Sequence, residues 1–223
     1  SSLEKSGYTH KGEWNVPLKC GFTKRGDVDV NLHVFFDENH PEIELNLLFR
    51  DYLREHPDAR DEYAATKVRI LQDDAAQERV GTLAFPVYTL KKREFIYGIL
   101  NKVGFDRLRV LKCTADEEWA AAKDFRKKHF FFKLGTADPQ SSTLNSPGHE
   151  HWLLYKGTEI IGYSHVQLLP KSRVRVHVVM LSDEYRRLNN DSFSSYFFKV
   201  IVKWIRFNGA KIVYNAEDSF ALL

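Results

Sequence analysis

A chain of 223 residues is long enough for one large domain or two small ones, each with its own core. Its 43% hydrophobic and 13% aromatic content excludes a disordered chain, and 33 basic residues interleaved with 30 acidic ones leave a net charge of +3, too mild for a nucleic-acid binder. No apolar run approaches the roughly 18 residues of a membrane span. The polar opening SSLEKSGYTHKGEW does not read as a secretory leader, so none is expected. Cys20 and Cys113 stand alone, which argues against a disulfide scaffold or a thiolate zinc site and for a cytoplasmic location.

Residues 7 to 37 predict strands joined by turns: GYTHKGEWN, VPLKCGFTKRGD and VDVNLHVFF, in which Val28, Val30, Leu32 and Val34 alternate with period two. Pro41 to His56 predicts a helix with Pro41 in its first turn and Ile43, Leu45, Leu47, Leu48 and Leu53 as apolar residues. Beyond Pro57, a second helix runs from Ala59 to about Asp73 with Tyr63, Val68, Ile70 and Leu71 apolar. A loop with Gly81 and Pro86 leads to a third, about Thr89 to Val103, stopped by Gly104.

The pattern then restarts, which places a domain boundary near Gly104 to Arg107 and gives domains 1–104 and 105–223. Arg107 to Cys113 is a short strand and Glu117 to Phe130 an amphipathic helix. The turn-rich stretch Gly135 to Gly148 is a long loop. His151–Tyr155 and Glu159–Leu169 form strands around the tight turn Lys156-Gly157-Thr158. Pro170 to Arg173 turns into a strand, Val174 to Leu181. A helix from about Ser192 to Asn208, Gly209 and the strand Lys211 to Asn215 follow. This order predicts an α/β layer fold with a mixed sheet.

The segments VRVHVVMLSDEYRR and SFSSYFFKVIVKWIRFNGAKIVYNAEDSFALL, within residues 107 to 223, resemble the GNAT superfamily of N-acetyltransferases. The family pattern is a strand ending in an acidic residue, Tyr and Arg, then a Gly-rich turn, a long amphipathic helix, Gly-Ala and a strand. The resemblance implies a GNAT-like mixed sheet with helices on both faces, acetyl-CoA as co-substrate, and a small-molecule or protein amine as acceptor. In the family, glycines wrap the CoA pyrophosphate. Counting forward from Arg186 puts Asn189 and Asp191 in those places, whereas counting back from Gly209 puts Ser192 and Ser194 there. The second register is preferred, because an Asp would repel pyrophosphate.

A helix N-terminus carries unpaired N–H groups and about half a positive charge, a ready anion site. The cofactor-binding residues implied are Arg186, Arg187, Asn189, Asn190, Ser192, Ser194 and Ser195, with Val179 and Leu181 holding the pantetheine through their backbone. The plainer alternative is that Asp191 or Ser192 caps the helix and the arginines are solvated. His177 on the strand is the candidate base, with Glu184 just past its end; His165 and Tyr163 are weaker candidates. His149-Glu150-His151 puts two imidazoles on one strand face with no third ligand, so no metal is expected. NAEDSFALL matches the start of the family's next helix, so the family's tyrosine acid and its last two strands are expected to be missing.

LEKSGYTHKGEWNVP, NLHVFF, LLFRDYLREHPDARDEYAATK and YTLKKREFI, within residues 1 to 104, resemble the GrpB family, a branch of the nucleotidyltransferase-like fold. The implied domain is a truncated α+β unit that lacks the family's upstream Gly-Ser motif and acidic metal-binding pair. His33, Arg50, Asp51, Tyr63, Lys67, Tyr88 and Lys92 match the family's polar positions, a set suited to a phosphorylated small ligand or to ordinary surface pairs and core edges. The turn VPLKCGF has Leu18, Lys19 and Cys20 where the family has Gly-Arg-Arg.

The reading is therefore an acetyl-CoA-dependent N-acetyltransferase acting on an unidentified primary amine. The alternative is a degenerate module that binds CoA, a nucleotide-like ligand or a protein partner without turnover. Neither nucleic acid nor a membrane is expected as a partner, and a homodimer is one admissible assembly.

Overall fold

The structure is a computed structural model, and it describes residues 2–72, 91–132, 135–188 and 191–212. The chain divides into two compact units, residues 1–40, 110–155 and 160–223 in the first, and residues 41–109 and 156–159 in the second.

The first unit opens with helix α1 (Ser2–Lys5) and a three-stranded antiparallel sheet, β1 (Thr9–Gly12), β2 (Lys19–Lys24) and β3 (Val30–Phe35). Val28 falls outside β3 and is exposed, so the alternation that begins there enters the sheet only at Val30. A five-stranded mixed sheet follows, in the order β4 (Leu108–Lys112), β5 (His149–Lys156), β6 (Glu159–Leu169), β7 (Arg173–Leu181) and β8 (Lys211–Ile212). The mixed α/β class expected from the element order is the one observed.

Side chains alternate across β5, and each face meets a different helix. Trp152 packs edge-on against Trp204 of α7 (Asp191–Phe207), with ring centroids 5.1 Å apart. On the other face, His151 and Tyr163 meet Arg126 at the end of α5 (Asp116–Arg126). A turn of π-helix, Lys127–Phe131, extends α5 to about the end predicted. The most deeply buried apolar residues of this unit include Trp152, Leu154, Ile161 and Val166 of β5 and β6 and Phe197, Ile201 and Ile205 of α7. Those helix positions repeat every four residues, the spacing that puts them on one face.

Two features shape β7. It pairs antiparallel with β6 and, at Arg173 and Val174, parallel with β8. The β6–β7 register slips between His165 and Val166: His165 faces Val178 while Val166 faces Val176, which leaves His177 as the extra residue of a bulge. Past Leu181, Ser182 leads into a short helix, α6 (Asp183–Arg187), unpredicted from the sequence.

The second unit is helical. It contains α2 (Pro41–Glu55), α3 (Pro57–Gln72) and α4 (Arg93–Lys102). Leu45, Leu100 and Phe105 form its core, with Leu48, Ile96, Tyr97 and Val103 packed on it. Of the apolar residues expected on α3, Ile70 is buried, whereas Val68 and Leu71 are more than half exposed. The buried Arg109 guanidinium donates to Glu42 (3.0 Å), to the Tyr97 hydroxyl (2.5 Å) and to the Gly157 carbonyl (3.1 Å). Gly157, in the β5–β6 turn, adopts φ +57°, and a Cβ there would stand 2.6 Å from the Phe105 carbonyl. Only glycine fits both conditions.

Candidate functional site

The residues expected around a pyrophosphate lie past the end of β7. Val179 and Leu181 are buried and pair with Ser164 and Gly162 of β6. Arg186 and Arg187 are exposed on α6, and Arg186 donates to Asp183 at 2.7 Å. Glu184 is exposed on the same short helix. Ser192 is exposed on the first turn of α7, with Ser194 and Ser195 partly buried just beyond. Asn189 and Asn190 lie outside the described residues. Because α7 connects two parallel strands, it runs back along the sheet, and its N-terminus stands at the end where β7 finishes.

His177 is not isolated. Its Nε2 lies 3.0 Å from the Gln167 Oε1, and its ring stacks on that of His165 with centroids 4.5 Å apart. His165 stacks in turn on His151, at 4.5 Å, and its Nε2 lies 2.8 Å from the Nδ1 of His149. The Gln167 Nε2 reaches the His149 Nε2 at 3.5 Å. Four imidazoles from three strands therefore share one face of the sheet, with Gln167 between two of them. Sequence alternation puts His149 and His151 together. Their meeting with His165 and His177 depends on strand register and on the bulge, which no local pattern encodes.

The cluster continues into a polar network. The His151 Nδ1 lies 2.5 Å from the Tyr163 hydroxyl, and its Nε2 lies 3.1 Å from the Thr143 carbonyl. Arg126 donates to the Tyr163 hydroxyl at 3.1 Å and binds Asp138 through both nitrogens of a fork. Burial holds His165 down to about 2, assisted by the neighbouring imidazoles, and holds His151 down to about 4. Burial also pushes the Tyr163 hydroxyl well up. For Asp138 burial acts upward, but the hydrogen bonds from Arg126 and from the Gln140 N–H outweigh it, and the carboxyl titrates below its usual range. At neutral pH this part of the site is a set of neutral rings beside one ion pair. The His165 Nδ1 is buried and has no hydrogen-bond partner among the described residues.

At the edge of the cluster is a cleft of about 320 Å³ lined by Lys112, Cys113, Trp119, His149 and Glu150, among others. Burial raises the Glu150 carboxyl above its usual value, although Lys112 and the Trp152 N–H act in the opposite direction. Among the described residues no group of three or more His, Cys, Asp or Glu side chains has a metal-binding arrangement.

The polar positions of the N-terminal half fall in both units. His33 is exposed on β3 of the first. In the second, Arg50 and Asp51 bind each other at 2.8 and 2.9 Å. Tyr63 stacks on Phe95 at 5.3 Å, and the Lys67 ammonium lies 4.8 Å from its ring centroid. Burial, then the charge of Lys67, lowers the Lys92 ammonium. Tyr63, Lys67 and Lys92 thus come together, whereas Arg50 is engaged by its own neighbour. Tyr88 lies outside the described residues.

Comparison with solved structures finds loose overlays on acetyltransferases. An aminoglycoside acetyltransferase from an uncultured soil metagenomic sample, in complex with sisomicin, overlays at TM-score 0.40 and 11% identity, over 53% of this chain and 84% of that one. The ribosomal-protein-alanine N-acetyltransferase of Brucella melitensis biovar Abortus 2308 overlays at TM-score 0.38 and 12% identity, over 49% and 80%. Overlays this loose leave any functional reading to the chain's own residues.

Among curated proteins, UPF0157 protein YqkA of Bacillus subtilis (strain 168) is 38% identical over 68 residues, 30% of this chain and 20% of the relative. UPF0157 protein BH1888 of Halalkalibacterium halodurans is 38% identical over 78 residues, 34% of this chain and 38% of the relative. The chain thus spans well under half the length of either relative. Residues 1–102, which take in the three-stranded sheet and helices α2 to α4, match the family model described as GrpB protein.

Proposed function

We propose that residues 107–223 act as an acetyl-CoA-dependent N-acetyltransferase whose acceptor is a primary amine. The observation that carries the reading is the placement of the α7 N-terminus at the end of β7, with three serines in its first turns and the Arg186–Arg187 pair just before it. Backbone N–H groups, hydroxyls and guanidinium groups are the donors a pyrophosphate needs. The acetyl thioester would supply the electrophilic carbonyl. In this reading His177, halfway along β7, accepts the proton that the amine loses as it attacks, and the departing sulfur takes up a proton in turn. His165 and His151, stacked in sequence beside it, are held neutral by burial, so neither adds an imidazolium that would repel a proton arriving at His177.

A second reading, CoA or partner binding without turnover, is favoured by one observation: Arg186 is already bound to Asp183. In the N-terminal half, Tyr63, Lys67 and Lys92 are the residues we assign to binding a small anionic ligand.

Calorimetric titration with acetyl-CoA, followed by thiol release against a panel of primary amines, tests the proposal. Binding and release are expected, and paired Ser192→Asp and Ser194→Asp substitutions should abolish binding by setting carboxylates against the diphosphate. No binding at near-millimolar ligand would overturn the acetyltransferase reading and remove CoA from the second; binding without thiol release would leave the second.

A further inference from the structure

Gln167 sits between two histidines of the cluster and presents a different group to each. Its carbonyl oxygen lies 3.0 Å from the His177 Nε2 and its amide nitrogen 3.5 Å from the His149 Nε2. A carbonyl only accepts, so the facing nitrogen of His177 must carry a proton. An amide NH₂ only donates, so the facing nitrogen of His149 must offer a lone pair. The proton of a neutral His149 is then on Nδ1, where it is donated across 2.8 Å to the Nε2 of His165. His165 must in turn hold its own proton on Nδ1, the buried atom with no partner among the described residues. One amide orientation therefore dictates the protonation of three rings.

We infer that Gln167 is a positioning residue that holds His177 in the Nε2–H form, with Nδ1 as its basic nitrogen, and polarises the His149–His165 pair through the same amide. The inference rests on the reading of His177 as the proton acceptor, but it makes a claim about the resting protein that holds without substrate. The groups facing His177 on the neighbouring strands support it. His165 and His151, stacked in sequence beyond it, stay neutral, so no adjacent imidazolium competes for the Gln167 carbonyl. The bulge matters as well. Placing His177 as the extra residue of β7 takes it out of simple alternation and brings it within reach of Gln167, which itself pairs with Arg175 two places earlier.

The test uses the full chain labelled with nitrogen-15, with imidazole tautomers read from long-range proton–nitrogen correlations. Wild-type His177 is expected to show a protonated Nε2 and an unprotonated Nδ1. Gln167→Leu removes the acceptor at a partly exposed position, so folding should survive, and His177 should shift towards a mixture of tautomers. Gln167→Glu keeps an acceptor facing Nε2 and should restore the wild-type form. In acetyl transfer, Gln167→Leu should lower kcat about tenfold at unchanged KM, the size of one lost orienting hydrogen bond, with recovery in Gln167→Glu. A wild-type His177 protonated on Nδ1, or a tautomer unchanged in Gln167→Leu, overturns the inference. The expected tautomers in a protein that acetylates no amine would uphold Gln167 and remove the acetyltransferase reading alone.

Discussion

Glu13 and Trp204 lie 191 positions apart in sequence, and the indole N–H of Trp204 donates to the Glu13 Oε2 at 2.7 Å. The same oxygen accepts from the Lys112 ammonium at 2.9 Å, while Oε1 accepts from the Leu18 N–H at 2.6 Å. One carboxylate thus joins the turn after β1 to β4 and to α7. Trp14 and Leu18, around it, both adopt positive φ, a conformation that only surrounding structure can impose on such residues.

Replacing Glu13 by Gln should therefore destabilise the first unit by about 2–3 kcal/mol, because it leaves Lys112 without its closest countercharge and puts an NH₂ where a donor already points. Urea unfolding followed by tryptophan fluorescence would measure it. A loss below about 0.5 kcal/mol would mean that the contact is not a cross-link.

Asp138 presents the same logic inside the second network. The Arg126 side chain is 3% exposed and its carboxylate partner 11%. Asp138→Asn should cost about 3–5 kcal/mol by leaving a buried guanidinium uncompensated, and a double change of Arg126 and Asp138 to Met and Leu should recover much of that. Chemical denaturation of the single and double variants decides it.

Acid should weaken the fold through the histidines. An unfolded imidazole titrates near 6.5, whereas folded His151 and His165 do so only at about 4 and about 2. Between these limits the unfolded chain binds more protons, so stability is full above about pH 7 and falls as pH drops. At pH 5 each ring contributes a loss of about 2 kcal/mol. Thermal midpoints measured from pH 7.5 to 5 should fall, and His165→Asn should flatten the slope; a parallel slope in that variant would contradict this.

Gly157→Ala should destabilise the second unit by at least about 1 kcal/mol, since it meets both a left-handed backbone and the Phe105 carbonyl. Gly209→Ala makes a control, with a similar φ of +66° but open space around the added methyl group. Differential scanning calorimetry of the pair separates steric contact from backbone strain.

Much of the architecture was legible because it is written in short-range pattern. The 3.6-residue stripe of Phe197, Ile201 and Ile205, the apolar runs of β5 and β6, and the Lys156-Gly157-Thr158 turn all declare themselves locally. Glu13 does not, because an acidic residue in a turn gives no sign of partners at positions 112 and 204. The site was legible in part for the same reason. His177 stood out as an imidazole on the right strand, but Gln167 is an unremarkable polar residue until register sets it between two rings.

The extra residue in β7 also inverts the parity of the strand. Before it, the even positions Val174 and Val176 pair with Leu168 and Val166; after it, the odd positions Val179 and Leu181 pair with Ser164 and Gly162, on the same face of β6. The same residues in simple alternation would put Val178, not Val179, on the side of Val174 and Val176, and the segment leading to α6 would turn its opposite side inward. Deleting one residue between Val176 and Val179 should consequently leave a regular ladder in which Val179 and Leu181 still face the same side, so the downstream crossover survives, whereas inserting a residue there should turn it over.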